Sequence, residues 1–455
     1  MRVLVVHPPL SLGRDFVDYP WASDLGAVQL AGALRERHEA RLLDALAMPG
    51  ASVAPRPDGR SRLGAPVEAL LEAARAGAPW DAAVVALTPF HRPPARDDLL
   101  GDLLTGLRSA RAEAPLLLAD CYQSGQHYLE APGEAVLASY PEVDAWVKYE
   151  AEVAVPALLA GLTSGAGERR ALIGEPADLA ALPEPAWDLV DLAARDALQR
   201  QAVERLGRGQ WPFPIDGRTL PLVTSRGCPW DCLHCSSNPG RAPGAPKAQR
   251  RMPAERLRRL CESLVRRHGA TRLLALDEML NAAPGHLGAL LDAVEALGVG
   301  LEIPNGLRAD RLDRAAVARL RGRVTTLSVS AESGSQRVVD EVVGKRLDLG
   351  EVERVAADCR DEGLPLMIHW IIGLPGERPE EVNATLAMAA DLEARHGATP
   401  SVQFATPLPG TRLAARCGAA PLDDYGPAFQ ARPSATDPLV PPEALSRFAW
   451  AFERR

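Results

Sequence analysis

The sequence predicts an α/β protein: an N-terminal doubly wound domain, then a partial (β/α)6 barrel and a short C-terminal segment. Three observations carry that expectation. Short apolar runs alternate with helical patterns along most of the chain, the arrangement that parallel sheets require. The alternation lapses after about residue 160 and restarts near 219, which implies two sheets. The second series holds six strand–helix units, fewer than the eight of a closed barrel, so it is expected to stay open on one side.

In the first series, Val3–Val6, Ala40–Leu43, Ala82–Leu87 and Leu116–Ala119 are suited to buried parallel strands, with another at Ala145–Val147. Leu25–Arg37 and Val67–Ala76 carry the helical period between them. This domain is assigned to residues 1–160, with ligands expected at its strand C-termini. Residues 161–214 contain Ser164-Gly165-Ala166-Gly167 and Leu182-Pro183-Glu184-Pro185-Ala186-Trp187 and read as an ordered connector. The barrel takes residues 215–415. Its strands are expected at Leu220–Thr224, Arg272–Leu276, Leu301–Pro304, Thr325–Ser330, Leu366–Ile372 and Val402–Thr406, and its helices at about 253–268, 284–297, 313–321, 349–362 and 379–396. Residues 416–455 form the short last segment. No repeat of 20–50 residues is visible, which excludes solenoids and propellers.

Composition narrows the function classes. A chain of 455 residues with 47% hydrophobic and 24% charged residues is globular, and a net charge of -8 argues against a nucleic-acid scaffold. The basic stretch Arg250–Arg267 reads as the solvated face of a helix. No apolar run reaches 18 residues, and Met1-Arg2 leads directly into an apolar strand without a signal-peptide pattern. A cytoplasmic protein is expected.

Seven cysteines stand at 121, 228, 232, 235, 261, 359 and 417. Four are scattered and read as small buried hydrophobes. Three are crowded into Ser225-Arg226-Gly227-Cys228-Pro229-Trp230-Asp231-Cys232-Leu233-His234-Cys235, directly after a strand. Soft thiolates at that spacing suit iron or zinc. A structural zinc needs a fourth ligand, and His234 is poorly placed to supply it. Three ligands suit a four-iron, four-sulfur cluster with one iron left open.

This Cys-x3-Cys-x2-Cys loop resembles the signature of the radical S-adenosylmethionine (SAM) superfamily. Membership implies that Cys228, Cys232 and Cys235 hold the cluster, that SAM binds the open iron, and that its reductive cleavage gives a 5′-deoxyadenosyl radical. Four later segments resemble the family's strand-end motifs in order. Asp277-Glu278 matches the acidic motif for the SAM amino group, with Glu278 the preferred residue. Ser330-Ala331-Glu332-Ser333-Gly334-Ser335-Gln336 places Glu332 or Ser333 at the ribose or methionine portion. Ile371-Ile372-Gly373-Leu374-Pro375-Gly376-Glu377 supplies Gly373 beside adenine, and Thr406-Pro407-Leu408-Pro409-Gly410-Thr411 is similar to the sixth-strand segment. His234 occupies a position where the family often has an aromatic residue near adenine.

The first domain, through His7-Pro8-Pro9-Leu10, Leu42-Leu43-Asp44-Ala45 and Pro141-Glu142-Val143-Asp144-Ala145-Trp146, resembles that of the subfamily with a cobalamin-binding domain. The resemblance implies cobalamin. The sequence also departs from the pattern. The Asp-x-His-x-x-Gly motif of many cobalamin folds is missing, and Asp120-Cys121-Tyr122-Gln123-Ser124-Gly125 has tyrosine in place of its histidine. If the pocket were vacant, Asp120, Tyr122, Gln123 and His127 would serve substrate. His369, on the strand before Gly373, is expected to act as a general acid or base. The expected reaction is therefore radical dehydration of an aminoglycoside sugar, by resemblance to radical SAM diol dehydratases. The alternative is cobalamin-dependent C-methylation of a natural product. Expected partners are a small-molecule substrate, an electron donor such as flavodoxin or ferredoxin, and a partner reductase, with no nucleic acid and no membrane.

Overall fold

The computed structural model describes residues 1–13, 22–77, 79–121, 128–161, 169–205, 217–241 and 245–418. They divide into two compact units.

The first unit is built on six parallel strands: β1 (Arg2–His7), β2 (Glu39–Asp44), β3 (Ala82–Leu87), β4 (Leu116–Asp120), β5 (Ala145–Lys148) and β6 (Arg170–Ile173). They stand in the order β2-β1-β3-β4-β5-β6. The strand order reverses between β1 and β3, a switch point of the kind where open α/β sheets take ligands. Val3 to Val6 and Ala82 to Leu87 are buried throughout, which explains unbroken apolar runs in place of alternation. Two features escaped the sequence reading. β6 extends the sheet beyond residue 160, and Leu10–Leu12, Ser61–Gly64 and Ser52–Pro55 form a small antiparallel sheet.

The stretch expected to be a connector is built into this unit. Wholly buried Arg195, on the helix Leu192–Arg205, donates to both carboxylate oxygens of Asp24, the N-cap residue of helix Leu25–Leu34. The Arg195 guanidinium lies 5.1 Å from the Trp187 ring centroid. Gln29 Nε2 donates to the Pro183 carbonyl at 2.7 Å, and the Val53 amide donates to Gln201 Oε1 at 2.9 Å. A segment held by a buried bidentate ion pair is part of the domain, since removing one partner of such a pair costs about 3–5 kcal/mol.

The second unit carries β7 (Thr219–Leu222), β8 (Arg272–Ala275), β9 (Gly300–Glu302), β10 (Leu327–Glu332), β11 (Leu366–Ile372) and β12 (Thr399–Phe404). β7-β8-β9 and β10-β11-β12 are parallel triplets, and a parallel bridge between Leu307 and Val329 joins them into an open six-stranded barrel. Helices Ala254–Arg266, His286–Leu297, Arg314–Leu320, Leu349–Glu362 and Pro379–His396 alternate with the strands. On the first of these, Leu257, Leu260, Cys261 and Leu264 are buried at helical spacing while Arg258 and Arg259 face water. The basic stretch is thus a solvated face. No helix among the described residues is long and apolar enough to cross a membrane.

Candidate active site

The C-terminal ends of the barrel strands surround a cavity lined by Cys228, Cys232 and Cys235 together with Trp230, His234, Glu278, Asn305, Arg308, Ser330, Glu332, Lys345, His369, Ile371, Gln403, Phe404, Thr406 and Leu408. The cysteine loop is fixed by its backbone. Leu233 N donates to the Val343 carbonyl at 2.8 Å, and Leu413 N donates to the Leu233 carbonyl at 2.9 Å. Arg412 donates to the Asp231 carbonyl at 2.8 Å, and Cys228 N donates to Asn238 Oδ1 at 3.0 Å. Gly227 enters the loop at φ +86°, where a Cβ would stand 2.4 Å from the Ala248 carbonyl, so no larger residue fits.

Burial, reinforced by the neighbouring thiols, pushes Cys228 and Cys232 up to about 12. Protonated thiols crowded on one loop favour a cation that would let them ionise. All seven cysteines are free. Among the described residues no three His, Cys, Asp or Glu side chains are drawn together as the ligands of a single ion would be. Three soft donors around an open cavity therefore fit a four-iron cluster with one iron free of protein thiolate better than a mononuclear zinc site. Cys417 is outside the cavity lining and donates to the Leu413 carbonyl.

The two adjacent acids separate cleanly. Asp277 is wholly buried and accepts from the hydroxyls of Ser225 at 2.6 Å and Thr224 at 2.8 Å. Glu278 lines the cavity and takes the Gly227 amide, tying β8 to the cysteine loop. Glu332 reaches the cavity because β10 is irregular between Ser330 and Glu332 and Glu332 adopts φ +71°. Its carboxylate accepts from Lys345 Nζ at 2.7 Å and lies 3.9 Å from His234 Nε2. Lys345 and His234 hold that carboxyl below its ordinary range against the opposing effect of burial. Burial lowers the His234 pKa, and its Nδ1 is buried without a partner.

Ser333 does not line the cavity; its hydroxyl lies 3.0 Å from Thr385 Oγ1 and accepts from Ser335 N. Gly373 turns the chain after β11 at φ +81°, and its amide, with that of Leu374, is held by buried Glu377 at 2.7 and 3.1 Å. Burial pushes the Glu377 carboxyl up to about 7.

Two residues expected to be catalytic, His369 and Asp120, have the following surroundings. His369 does line the cavity, but its Nε2 is 2.8 Å from Ser328 Oγ and its Nδ1 is 3.1 Å from Ser401 Oγ. Burial lowers it to about 4, so it is neutral near pH 7 with both nitrogens engaged, unlike a poised general acid. Asp120 is not among the residues that line this cavity. It accepts from Tyr128 Oη at 2.7 Å, Trp146 Nε1 at 3.0 Å and Tyr149 N at 2.9 Å inside the first unit. Tyr122, Gln123 and His127 lie outside the described residues.

Several cavity residues carried no recognised motif. Arg308 donates to the carbonyls of Lys345 and Arg346 at 2.9 and 2.6 Å and stands 4.3 Å from the Trp230 ring centroid. Asn305 Nδ2 donates to the Leu276 and Asp277 carbonyls, at 2.9 and 3.1 Å. The only local signal for Lys345 is Gly344, a helix-ending glycine at φ +75°.

At the switch point of the first unit, His7 Nδ1 lies 3.0 Å from Asp44 Oδ1 and its Nε2 lies 3.0 Å from Ser23 Oγ. Two buried atoms there have no partner: Asp44 Oδ2 and His91 Nε2. Burial and the neighbouring His7 lower His91 to about 3, and because its Nδ1 accepts from the Thr88 amide at 3.0 Å, the neutral ring carries its proton on the unpartnered Nε2. Orphaned polar atoms at the strand C-termini fit a large polar cofactor such as cobalamin on this edge of the sheet.

Residues 222–389 match the family model of the radical SAM superfamily. The chain is 24% identical over 435 residues to an uncharacterized methyltransferase of Pyrococcus horikoshii, covering 91% of this chain and 82% of that protein. It is 22% identical over 258 residues to cytidylyl-2-hydroxyethylphosphonate methyltransferase of Streptomyces wedmorensis, covering 55% of this chain and 46% of that one. Among solved structures it shares the fold of the radical SAM methyltransferase TsrM from Kitasatospora setae, solved with cobalamin and a 4Fe-4S cluster bound, at a TM-score of 0.60 and 17% identity over 92% of this chain and 79% of that one. It also shares the fold of the cobalamin-dependent radical enzyme OxsB, at 0.57 and 13% over 94% of this chain and 54% of that one. With the cysteine loop, Glu278 and Glu332 gathered at one barrel mouth, residues 222–389 form a radical SAM domain, and the chain as a whole shares the fold of the cobalamin-dependent radical SAM proteins TsrM and OxsB.

Proposed function

We propose that the chain is a cobalamin-dependent radical SAM methyltransferase acting on a small molecule. The observation that carries this reading is the likeness to a protein named a methyltransferase over 91% of this chain, both units included. The geometry supports it from a second side. The dehydration reading asked His369 to deliver a proton to a departing hydroxide, and a neutral imidazole held between two serines is ill suited to that.

When bound, the cluster with SAM supplies one-electron chemistry and cobalamin supplies a methyl carrier. The chain's own groups bind and orient. Cys228, Cys232 and Cys235 would hold the cluster, while Glu278 and Glu332 present carboxylates to the ammonium and hydroxyl groups of SAM. His369, held between Ser328 and Ser401, is a fixed neutral part of the cavity wall against which a substrate would lie. His7, Asp44 and His91 line the edge of the first sheet where the corrinoid would sit. The electron donor in this reading is a low-potential protein such as flavodoxin or ferredoxin, and seven unpaired cysteines suit a reducing cytoplasm.

The test is anaerobic purification with hydroxocobalamin, followed by SAM and reductant. Bound corrinoid in the absorption spectrum together with S-adenosylhomocysteine is the expected result. Deoxyadenosine formed by a protein that retains no corrinoid would overturn the reading and restore dehydration.

A further inference from the structure

The three cysteines stand in unequal surroundings. Beside Cys228, the Gly227 amide is held by the carboxylate of Glu278; beside Cys232, Asp231 faces the ammonium of Lys247, and the side chain of Lys345 lines the same cavity as all three cysteines. Lys345 is 3% exposed and cannot swing away. Its Nζ donates to the Ser330 carbonyl at 2.5 Å and to Glu332 at 2.7 Å, and its backbone follows Gly344 at the end of the π-helical turn Val338–Val343. That same turn offers its Val343 carbonyl to Leu233 N, so the lysine and the cysteine loop are mechanically one piece. An ammonium has three N–H groups; two are occupied, and among the described residues the third has no partner beside the cavity. Lys247 is anchored by Ser237 Oγ at 3.1 Å and by Asp231 at 3.6 Å.

We propose that Lys345 is a positioning residue for electron transfer: a fixed positive charge that raises the reduction potential of the cluster held by Cys228, Cys232 and Cys235, with Lys247 as a weaker second contributor. Uptake of one electron from a low-potential protein donor adds one negative charge at the cluster, and no bond or proton moves. A buried cation stabilises that added charge, because net charge and hydrogen bonds to sulfur set the potentials of such clusters. The carboxylate of Glu332, 2.7 Å from the lysine Nζ and lining the same cavity, carries the opposite charge and opposes it. This inference rests on the cluster and is independent of whether a methyl group is transferred.

The test is the midpoint potential of the reconstituted enzyme without SAM, followed by electron paramagnetic resonance, with iron and sulfide counted in each sample. Lys345→Met should lower the potential. At a poise that half-reduces the wild type, the reduced-to-oxidised ratio should fall about tenfold, the change that about 59 mV gives in a one-electron couple. Lys345→Arg should restore most of it. Glu332→Gln should move the potential the opposite way, and it decides the matter alone if Lys345→Met fails to load iron. An unchanged SAM-free potential in fully loaded Lys345→Met, with SAM binding weakened instead, would overturn the proposal and make Lys345 a ligand holder. So would a fall in potential in Glu332→Gln.

Discussion

At the end of β4 in the first unit and at the ends of β7 and β10 in the second, the chain gathers similar materials: buried carboxylates, a lysine, aromatic rings and an irregular backbone. Around Asp120 every group finds a partner. Tyr128, Trp146 and the Tyr149 amide donate to the carboxylate, Lys148 donates to Glu130 and to the Ala131 carbonyl, and Tyr149 turns at φ +64° to close the set. Around the cysteine loop groups stay open among the described residues, with thiols pushed up by burial, His234 Nδ1 alone and one N–H of Lys345 unengaged. A saturated polar network is structural, while an unsaturated one at a cavity awaits a ligand. The contrast separates residues that look equally functional in a sequence.

Mutations can sharpen or break this contrast. The largest effect is expected at the open site. Replacing any one of Cys228, Cys232 and Cys235 by Ala should abolish the cluster's visible absorption and all SAM cleavage, while circular dichroism stays that of a folded protein. Asp120→Ala should do the reverse. Three buried donors lose their acceptor, costing about 2–4 kcal/mol in urea unfolding, yet iron content in the surviving folded fraction should be unchanged. Loss of iron in that folded fraction would show that Asp120 serves the cluster site after all. Glu278→Gln should weaken SAM binding about tenfold, roughly 1.4 kcal/mol, as measured by equilibrium dialysis of the reconstituted protein.

His369→Gln should produce the smallest change, and it is one of pH. With its pKa lowered to about 4 in the fold, the unfolded chain binds a proton first as pH falls below about 6.5. Its contribution to stability is therefore complete above that point and is lost as pH drops toward 4. The unfolding curves of variant and wild type should converge across that range. A rate profile that gained or lost a limb between pH 6 and 8 in this variant would instead return His369 to acid–base duty.

Much of the fold was legible because periodicity is a local signal. Helices Val67–Ala76, Leu349–Glu362 and Pro379–His396 and strand Leu366–Ile372 fall where their apolar spacing puts them. The helix Leu192–Arg205 was read as part of a connector because its buried face mixes polar Arg195, Asp196 and Gln199 with Leu198 and Ala202, and the Arg195 partner Asp24 is 171 residues away. In the site, cysteine spacing announced the loop, since those three residues are close in sequence as well as in space. Lys345 and Arg308 did not announce themselves. Arg308 reaches the cavity from the loop after β9 and Lys345 from the end of the turn Val338–Val343, and each donates to backbone carbonyls, which leave no trace in side-chain pattern. Tyr128, Trp146 and Tyr149 share that anonymity, so Asp120 looked unoccupied when it was not.

The clamp on the cysteine loop sets an order of events in the life of the protein. Asp231 waits for Arg412, a residue 181 positions later, and the Leu233 carbonyl waits for the amide of Leu413. A ribosome that has just released the three cysteines has thus made the ligands but not their frame. Metal loading is for that reason an act of the finished chain, and a truncation before residue 412 would leave a synthesised but unframed loop, exposed to oxidation before any cluster could be delivered.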